Sequence, residues 1–372
     1  TYGGGGPYTV TIRPAAGVSP VISGASAGGI FVLNGADNVI FDGRPAGVGA
    51  PFSLQVSNTN TSGTTFQFQG DAQNNIIRYA DVSGSITSGT SGVINIGTGT
   101  STGNDNITIE NNIIHGNVAR PVNLIYASGT ASRDNENISI LNNEFHTWGA
   151  SSATDACAIE INSYNNAFTI TGNSFYQPST LTTATAHFGI QITNTSAAGS
   201  GFTISNNYFG GSTNGASGTW NVTATGLDYR FCGIAYNGNT IGTSTISNNV
   251  IRNFSIASGT GFQTQSSAFA GIFCQGGTTS ITGNTIGSIT AANNIALTLT
   301  PSTQNVHVHG IYHDGNVGLS ITNNNIGGIS ITNPSSSTQH PYAQSWLAAG
   351  WKVETVNQSE KWVRFRRDWS FR

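Results

Sequence analysis

The densest group of potential ligand atoms in the sequence is VHVHGIYHD from Val306, which supplies His307, His309, His313 and Asp314. In an extended segment His307 and His309 share a face. A histidine pair two residues apart does not specify a metal without a third oriented ligand, so the expectation is no metal and no cofactor. A second group is spread along the chain but precedes or flanks equivalent repeats: Asp155, Glu160, His187 and Arg230, followed by His307 and His309. A carboxylate, an imidazole and a guanidinium on one edge suit binding of an acidic glycan or acid–base work, which makes Asp155, Glu160, His187 and Arg230 the catalytic candidates. A third group, His115, His146 and Tyr176, stands three residues after a recurring Asn, with Glu144 and Trp148 close by. Rings offering apolar faces beside hydrogen-bonding groups suit contact with sugars. His115, His146, Trp148, Tyr176, His307 and His309 are therefore the ligand-binding candidates, although ordinary solvent-facing stacking is the better account of the row, since nothing there orients a base or nucleophile.

Other chemistry is poorly supplied. Eliminating a proton beside a uronate carboxylate needs a base and a cation to hold that carboxylate, yet no lysine precedes Lys352 and the 13 acids of residues 1–337 are scattered singly. Hydrolysis of a glycosidic bond needs two carboxylates at a set separation, and the sequence has no adjacent Asp pair. The residues favour binding over turnover. A polysaccharide lyase or glycoside hydrolase using the edge residues is the alternative, and a structural spacer in a larger surface protein is a third reading.

These side chains have to be placed by a repeat. Seven segments share one pattern: NITIENNII, NISILNNEF, FTITGNSF, FTISNNYF, STISNNVI, TSITGNTI and LSITNNNI. Apolar residues two apart, such as Ile107 and Ile109, point to one face of a strand and the intervening Thr or Ser to the other. The following Asn, at Asn112, Asn143, Asn173, Asn207, Asn249, Asn284 and Asn324, marks a sharp bend, where Asn tolerates left-handed backbone angles. One Asn per coil predicts an asparagine ladder. A second motif, usually opening Gly-Ile (GVINIG, AIEIN, GIQIT, GIAYN, GIFCQ, GIYHD), precedes each of these and completes a coil. GIFVLNG with NVIFDG, and TFQFQG with NNIIRYADVSG, extend the pattern upstream, giving about nine coils. Successive ladder positions are 31, 30, 34, 42, 35 and 40 residues apart, so the surplus forms insertions on one edge that lengthen toward the C-terminus.

Composition agrees. Charged residues are 8% of the 372, hydrophobic residues 37% and Gly 48 in number, enough apolar material to fold and too little net charge for disorder. Cys157, Cys232 and Cys274 exclude a dense disulfide framework and are read as buried apolar residues, with Cys157 and Cys232 two coils apart and beyond disulfide reach. Residues 1–337 carry seven Arg and no Lys against 13 acids, which removes nucleic acid as a partner. No apolar run reaches the roughly 18 residues of a membrane span. The absence of Met points to a processed or truncated chain.

The stretch VTIRPAAGVSPVISG followed by GIFVLNGADNVIFDG, together with the xIxxNxI coils, resembles the right-handed parallel β-helix repeats of the pectate-lyase-like superfamily, and more narrowly the secreted or surface β-helix proteins of Bacteroidetes type. The resemblance covers residues 1 to roughly 333. It implies an all-β, single-stranded right-handed parallel β-helix at the bacterial cell surface or outside the cell, with a polysaccharide or cell-surface glycan as the expected partner. Residues 338–372, which hold four of the six Trp and both Lys, depart from the pattern. They read equally as a cap over the solenoid end or as a segment foreign to it.

Overall fold

The computed structural model describes residues 8–332, except 150–154, 184, 195, 197–198, 225–228, 240, 259–266, 293, 300–307 and 314–317, and beyond them the strands Trp351–Glu354 and Arg364–Arg367. The chain coils into a parallel β-helix. Each turn lays one strand on each of three sheets. Among the described residues the first sheet has ten strands running from Val10–Ile12 to Leu319–Thr322, the second ten from Val21–Gly24 to Asn325–Gly327, and the third nine from Gly29–Asn34 to Val308–His313. All the pairings within these sheets are parallel, as in Ile109↔Ile140 and Ile140↔Ile170. Among the described residues the count is thus ten coils, one more than the repeat suggested, because Val10–Ile12 and Val21–Gly24 form a further rung ahead of the two upstream segments.

The xIxxNxI motif becomes the strand Thr108–Glu110, a corner at Asn111 and Asn112, and the strand Ile113–Gly116. At the corner the structure corrects the assignment of roles. Left-handed backbone falls on the residue before each ladder Asn: Asn111, Asn142, Gly172, Asn206, Asn248, Gly283 and Asn323. Only Asn or Gly occupies this position, as the steric cost of that conformation requires. The second residue of each NN or GN pair is the buried ladder member. Asn112 donates its backbone N–H and one side-chain N–H to Oδ1 of Asn143, at 3.0 Å each, and its other side-chain N–H to the Ile77 carbonyl. The same set repeats from Asn143 through Asn284 to Asn324.

The interior is a stack of like on like. Ile77, Ile109, Ile140, Ile170, Ile204, Ile246 and Ile281 are fully buried on the first sheet. On the second, the ring of Phe175 lies between those of Phe145 and Phe209, with centroids 5.0 and 4.6 Å away and planes within 9° and 4°. The glycine of the Gly-Ile motif answers this packing: a Cβ at Gly189 would stand 2.5 Å from the Phe209 ring.

The lengthening insertions do not remain loops. From Trp220–Ala224 onward they add a fourth parallel sheet, continued by Phe254–Ser258, Ile295–Leu299 and Ile329–Thr332, so the cross-section changes from three sides to four. Trp220, wholly buried, stands where the fourth side begins. Trp351–Glu354 pairs antiparallel with Arg364–Arg367. Among the described residues no helix is long and apolar enough to cross a membrane.

Candidate functional site

Asp155, Ala186 and Arg230 occupy equivalent places at the entrance to three successive strands of the third sheet, one residue before Ala156, His187 and Phe231, which pair in register. Arg230 Nη2 lies 3.1 Å from Asp155 Oδ1, and the guanidinium sits 5.0 Å over the Phe188 ring. Two of the four catalytic candidates are thereby joined. They border an open groove of about 180 Å³ on the outer side of the third sheet, whose walls include Phe188, Gln191, Asn237, Phe273 and Gln275.

The groove floor is apolar. Cys157, Phe188, Cys232, Ala235 and Ala270 form a hydrophobic cluster of their own, separate from the interior. All three cysteines are buried and free, and Phe188 stands between Cys157 and Cys232, but only Cys274 belongs to the main core. The reason is a break in alternation at the motif itself. Gly189 and Ile190 both face inward, so the residue two before the strand Ile faces out, and parity reverses. Burial pushes the Cys232 thiol up to about 12, which leaves it an inert lining group at neutral pH.

Farther along the same outer face, Phe273 and Tyr312 stack with centroids 5.3 Å apart and planes within 7°, and His309, itself buried, lies 4.7 Å from Tyr312. Glu160 stands in register with Gln191. Burial raises its carboxyl above the usual range, against a 2.9 Å hydrogen bond donated by Asn162. His307 and Asp314 lie outside the described residues, and His313 pairs in register with interior-facing Cys274.

The other candidates are placed differently. His187 is not at the groove. The parity reversal turns it inward, fully buried among Trp148, Trp220 and Tyr229, with Nε2 3.3 Å from the Trp148 carbonyl oxygen. Burial holds its imidazole down to about 4. Trp148 is likewise interior, because the left-handed backbone at Thr147 resets the alternation after the strand Glu144–His146. Neither side chain reaches a surface ligand.

His115, His146 and Tyr176 do form a row. Their strands pair in register, and the ring centroids are 4.7 and 5.1 Å apart. The row is part-buried where a solvent-facing one was expected, and most of its polar atoms are hydrogen-bonded. His115 Nε2 meets Asp81 Oδ1 at 2.9 Å, the Tyr176 hydroxyl donates to Glu144 Oε2 at 2.8 Å, and Asn214 donates to the other Glu144 oxygen. Against the desolvation of burial, the Asp81 carboxylate raises His115, whereas burial and the charge on His115 hold His146 down to about 4. Among the described residues no three of His, Cys, Asp and Glu converge as metal ligands.

Sequence reasoning passed over Phe188, Gln191, Asn237, Phe273 and Gln275. Their signal was present: they share outward positions of adjacent Gly-Ile strands, but only once the double inward step is known.

Fold and groove together describe a parallel β-helix with an amphipathic channel on one outer face. No protein-family model and no curated protein sequence matches the chain. Two solved structures are similar to it at low identity. One is PfbA, a surface adhesin of Streptococcus pneumoniae, at 12% identity over 96% of this chain and 85% of that one, with a TM-score of 0.42. The other is the catalytic domain of a GH87 alpha-1,3-glucanase in complex with tetrasaccharides, at 13% identity over 90% of this chain and 70% of that one, with a TM-score of 0.36.

Proposed function

We propose that the protein is an extracellular or cell-surface module that binds a glycan, without turning it over, in the groove on the outer side of the third sheet. The observation that carries this reading is the composition of the groove: the rings of Phe188 and Phe273, the amides of Gln191, Asn237 and Gln275, and one guanidinium at Arg230. Sugars present apolar ring faces edged with hydroxyls, so flat apolar surfaces interleaved with amide donors and acceptors complement them. Asp155, the carboxylate nearest the guanidinium, is engaged by Arg230, which favours holding a ligand over attacking it.

The test is a glycan array run beside reducing-end and unsaturated-product assays on acidic and neutral polysaccharides. Binding lost in Phe273→Ala and Arg230→Ala, with no product released, is the expected result. Glu160 motivates a second reading, because a carboxyl raised by burial has the character of a general acid. Turnover abolished by Glu160→Gln in a folded protein would replace the binding module with a glycoside hydrolase.

A further inference from the structure

The first sheet presents a surface of another kind, on a different face from the groove. Its last five strands read Thr169-Ile170-Thr171, Thr203-Ile204-Ser205, Thr245-Ile246-Ser247, Ser280-Ile281-Thr282 and Ser320-Ile321-Thr322. The central Ile points inward in every rung, so the flanking hydroxyl residues form two outward columns, in register and without a bulge, each member half-buried or exposed except Ser205, which is 8% exposed. Six of these ten residues are Thr and four Ser. No charged side chain interrupts the columns. The N-terminal rungs of the same sheet differ: there the second column reads Asp42, Arg78, Glu110, with Asp42 held 2.8 Å from Arg44 and 3.0 Å from Arg78. The face is therefore divided into an ionic end and a neutral hydroxyl end.

Strand geometry sets the lattice. Neighbouring rungs are about 4.8 Å apart and residues i and i+2 about 6.7 Å apart, so the neutral end is a two-dimensional array roughly 19 Å long. Hydrogen bonds at 3.0 Å between Thr171 and Ser205 and between Thr322 and Thr282 tie neighbouring rungs, and β-branching restricts the Thr rotamers. The hydroxyls are thus ordered by the fold before any partner arrives, which spares the entropy of arranging them on binding.

We infer that this neutral hydroxyl array is an ice-binding face. Three properties select the surface of crystalline water over a flexible polymer. Its partner must itself be a rigid lattice, since a fixed array gains from many weak contacts only when all of them register together. The array repeats are of the size of those in hexagonal ice. The absence of charge matches an uncharged solid, whereas an ionic face holds a hydration shell incompatible with the ice lattice.

The experiment uses the full chain in ice-affinity partitioning and recrystallisation-inhibition assays. Enrichment in slowly grown ice is expected, with at least a tenfold loss of inhibition in Thr203→Lys with Thr245→Lys. Equal retention of activity is expected in Thr223→Lys with Thr298→Lys, which carries the same change on exposed positions of the fourth sheet. Should the first double variant fail to fold by circular dichroism, Ser247→Lys alone is read against Thr223→Lys. Exclusion of the unmodified protein from ice, or undiminished activity in a folded array variant, overturns the inference. Self-association that the array variant abolishes, without ice enrichment, assigns the face to a second copy of the chain and overturns it equally.

Discussion

Arg230 reaches past Ala186 on the intervening rung to place Nη2 3.1 Å from Asp155 Oδ1, two rungs away. The pair is asymmetric: the Arg230 side chain is 16% exposed and that of Asp155 51%. An ion pair open to water on one side is worth at most about 1 kcal/mol. Asp155→Asn is expected to leave the thermal midpoint within a few degrees of the parent. Arg230→Ala is expected to cost more, since it also uncovers the Phe188 ring. Scanning calorimetry decides, and equal losses in the two variants would mean that the pair, not the stacking, holds Arg230.

The ladder predicts a position-dependent loss. Asn207 accepts from the backbone and side chain of Asn173, and donates to Asn249 and to the Ile170 carbonyl. Asn207→Ala strands buried partners on both sides and is expected to cost about 3–5 kcal/mol. Asn324, part-buried at the last rung, is expected to cost about 1 kcal/mol on the same change. Urea denaturation of the two variants supplies the comparison; similar midpoints would show that the ladder adds little beyond the backbone bonds.

The left-handed corner predicts the opposite tolerance one residue earlier. Asn206, with φ of 55°, is exposed, so its side chain is dispensable while its backbone is not. Asn206→Gly should be near neutral and Asn206→Val should cost about 1–2 kcal/mol. A valine variant as stable as the parent would contradict the assigned conformation.

Two imidazoles, His187 buried and His146 half-buried, make the fold acid-sensitive. His146 and His187 have folded values of about 4 against an ordinary 6.5, so the fold favours their neutral forms. Their contribution is complete above pH 6.5 and is lost as pH falls through about 4. His115, raised by Asp81, acts in reverse: its contribution is present below 6.5 and is lost as pH rises through its folded value. The melting midpoint should therefore drop between pH 6.5 and 4, and drop less in His187→Phe, which keeps an aromatic ring among Trp148, Trp220 and Tyr229. Parallel slopes for the two proteins would remove His187 from the explanation.

Thiol chemistry offers a further check. Cys157, Cys232 and Cys274 are buried, and a disulfide between the first two is blocked by Phe188. A thiol reagent should label none of the three in the native protein and all three in denaturant, and rapid native labelling of Cys232 would show the groove floor to be open.

Much of this was written in the sequence, because a solenoid repeats its solution. The xIxxNxI and Gly-Ile motifs located three sheets, the ladder and the insertion edge. What escaped lay where alternation changes phase. The inward pair Gly189 and Ile190 reversed the assignments of His187, Cys157 and Cys232, and the left-handed Thr147 turned Trp148 inward. Strict counting by two fails at such steps. A second ladder, in which Asn104 bonds to Asn135 and Asn135 to Asn165, was legible as an Asn three residues before the first buried apolar residue of each coil, but the more regular downstream Asn drew the reading away. The fourth sheet was hidden because Trp220–Ala224, Phe254–Ser258 and Ile295–Leu299 share an alternation but no fixed motif.

Each ladder Asn offers one amide to the rung ahead and one oxygen to the rung behind. A rung therefore arrives with both halves of its own coupling, and removing or duplicating a whole coil rejoins donor to acceptor without an orphan on either side. Unequal crossing-over between repeats can change the reach of such a molecule in steps of one coil while the ladder stays continuous, making copy number, rather than point substitution, the natural variable by which a solenoid of this kind lengthens or shortens.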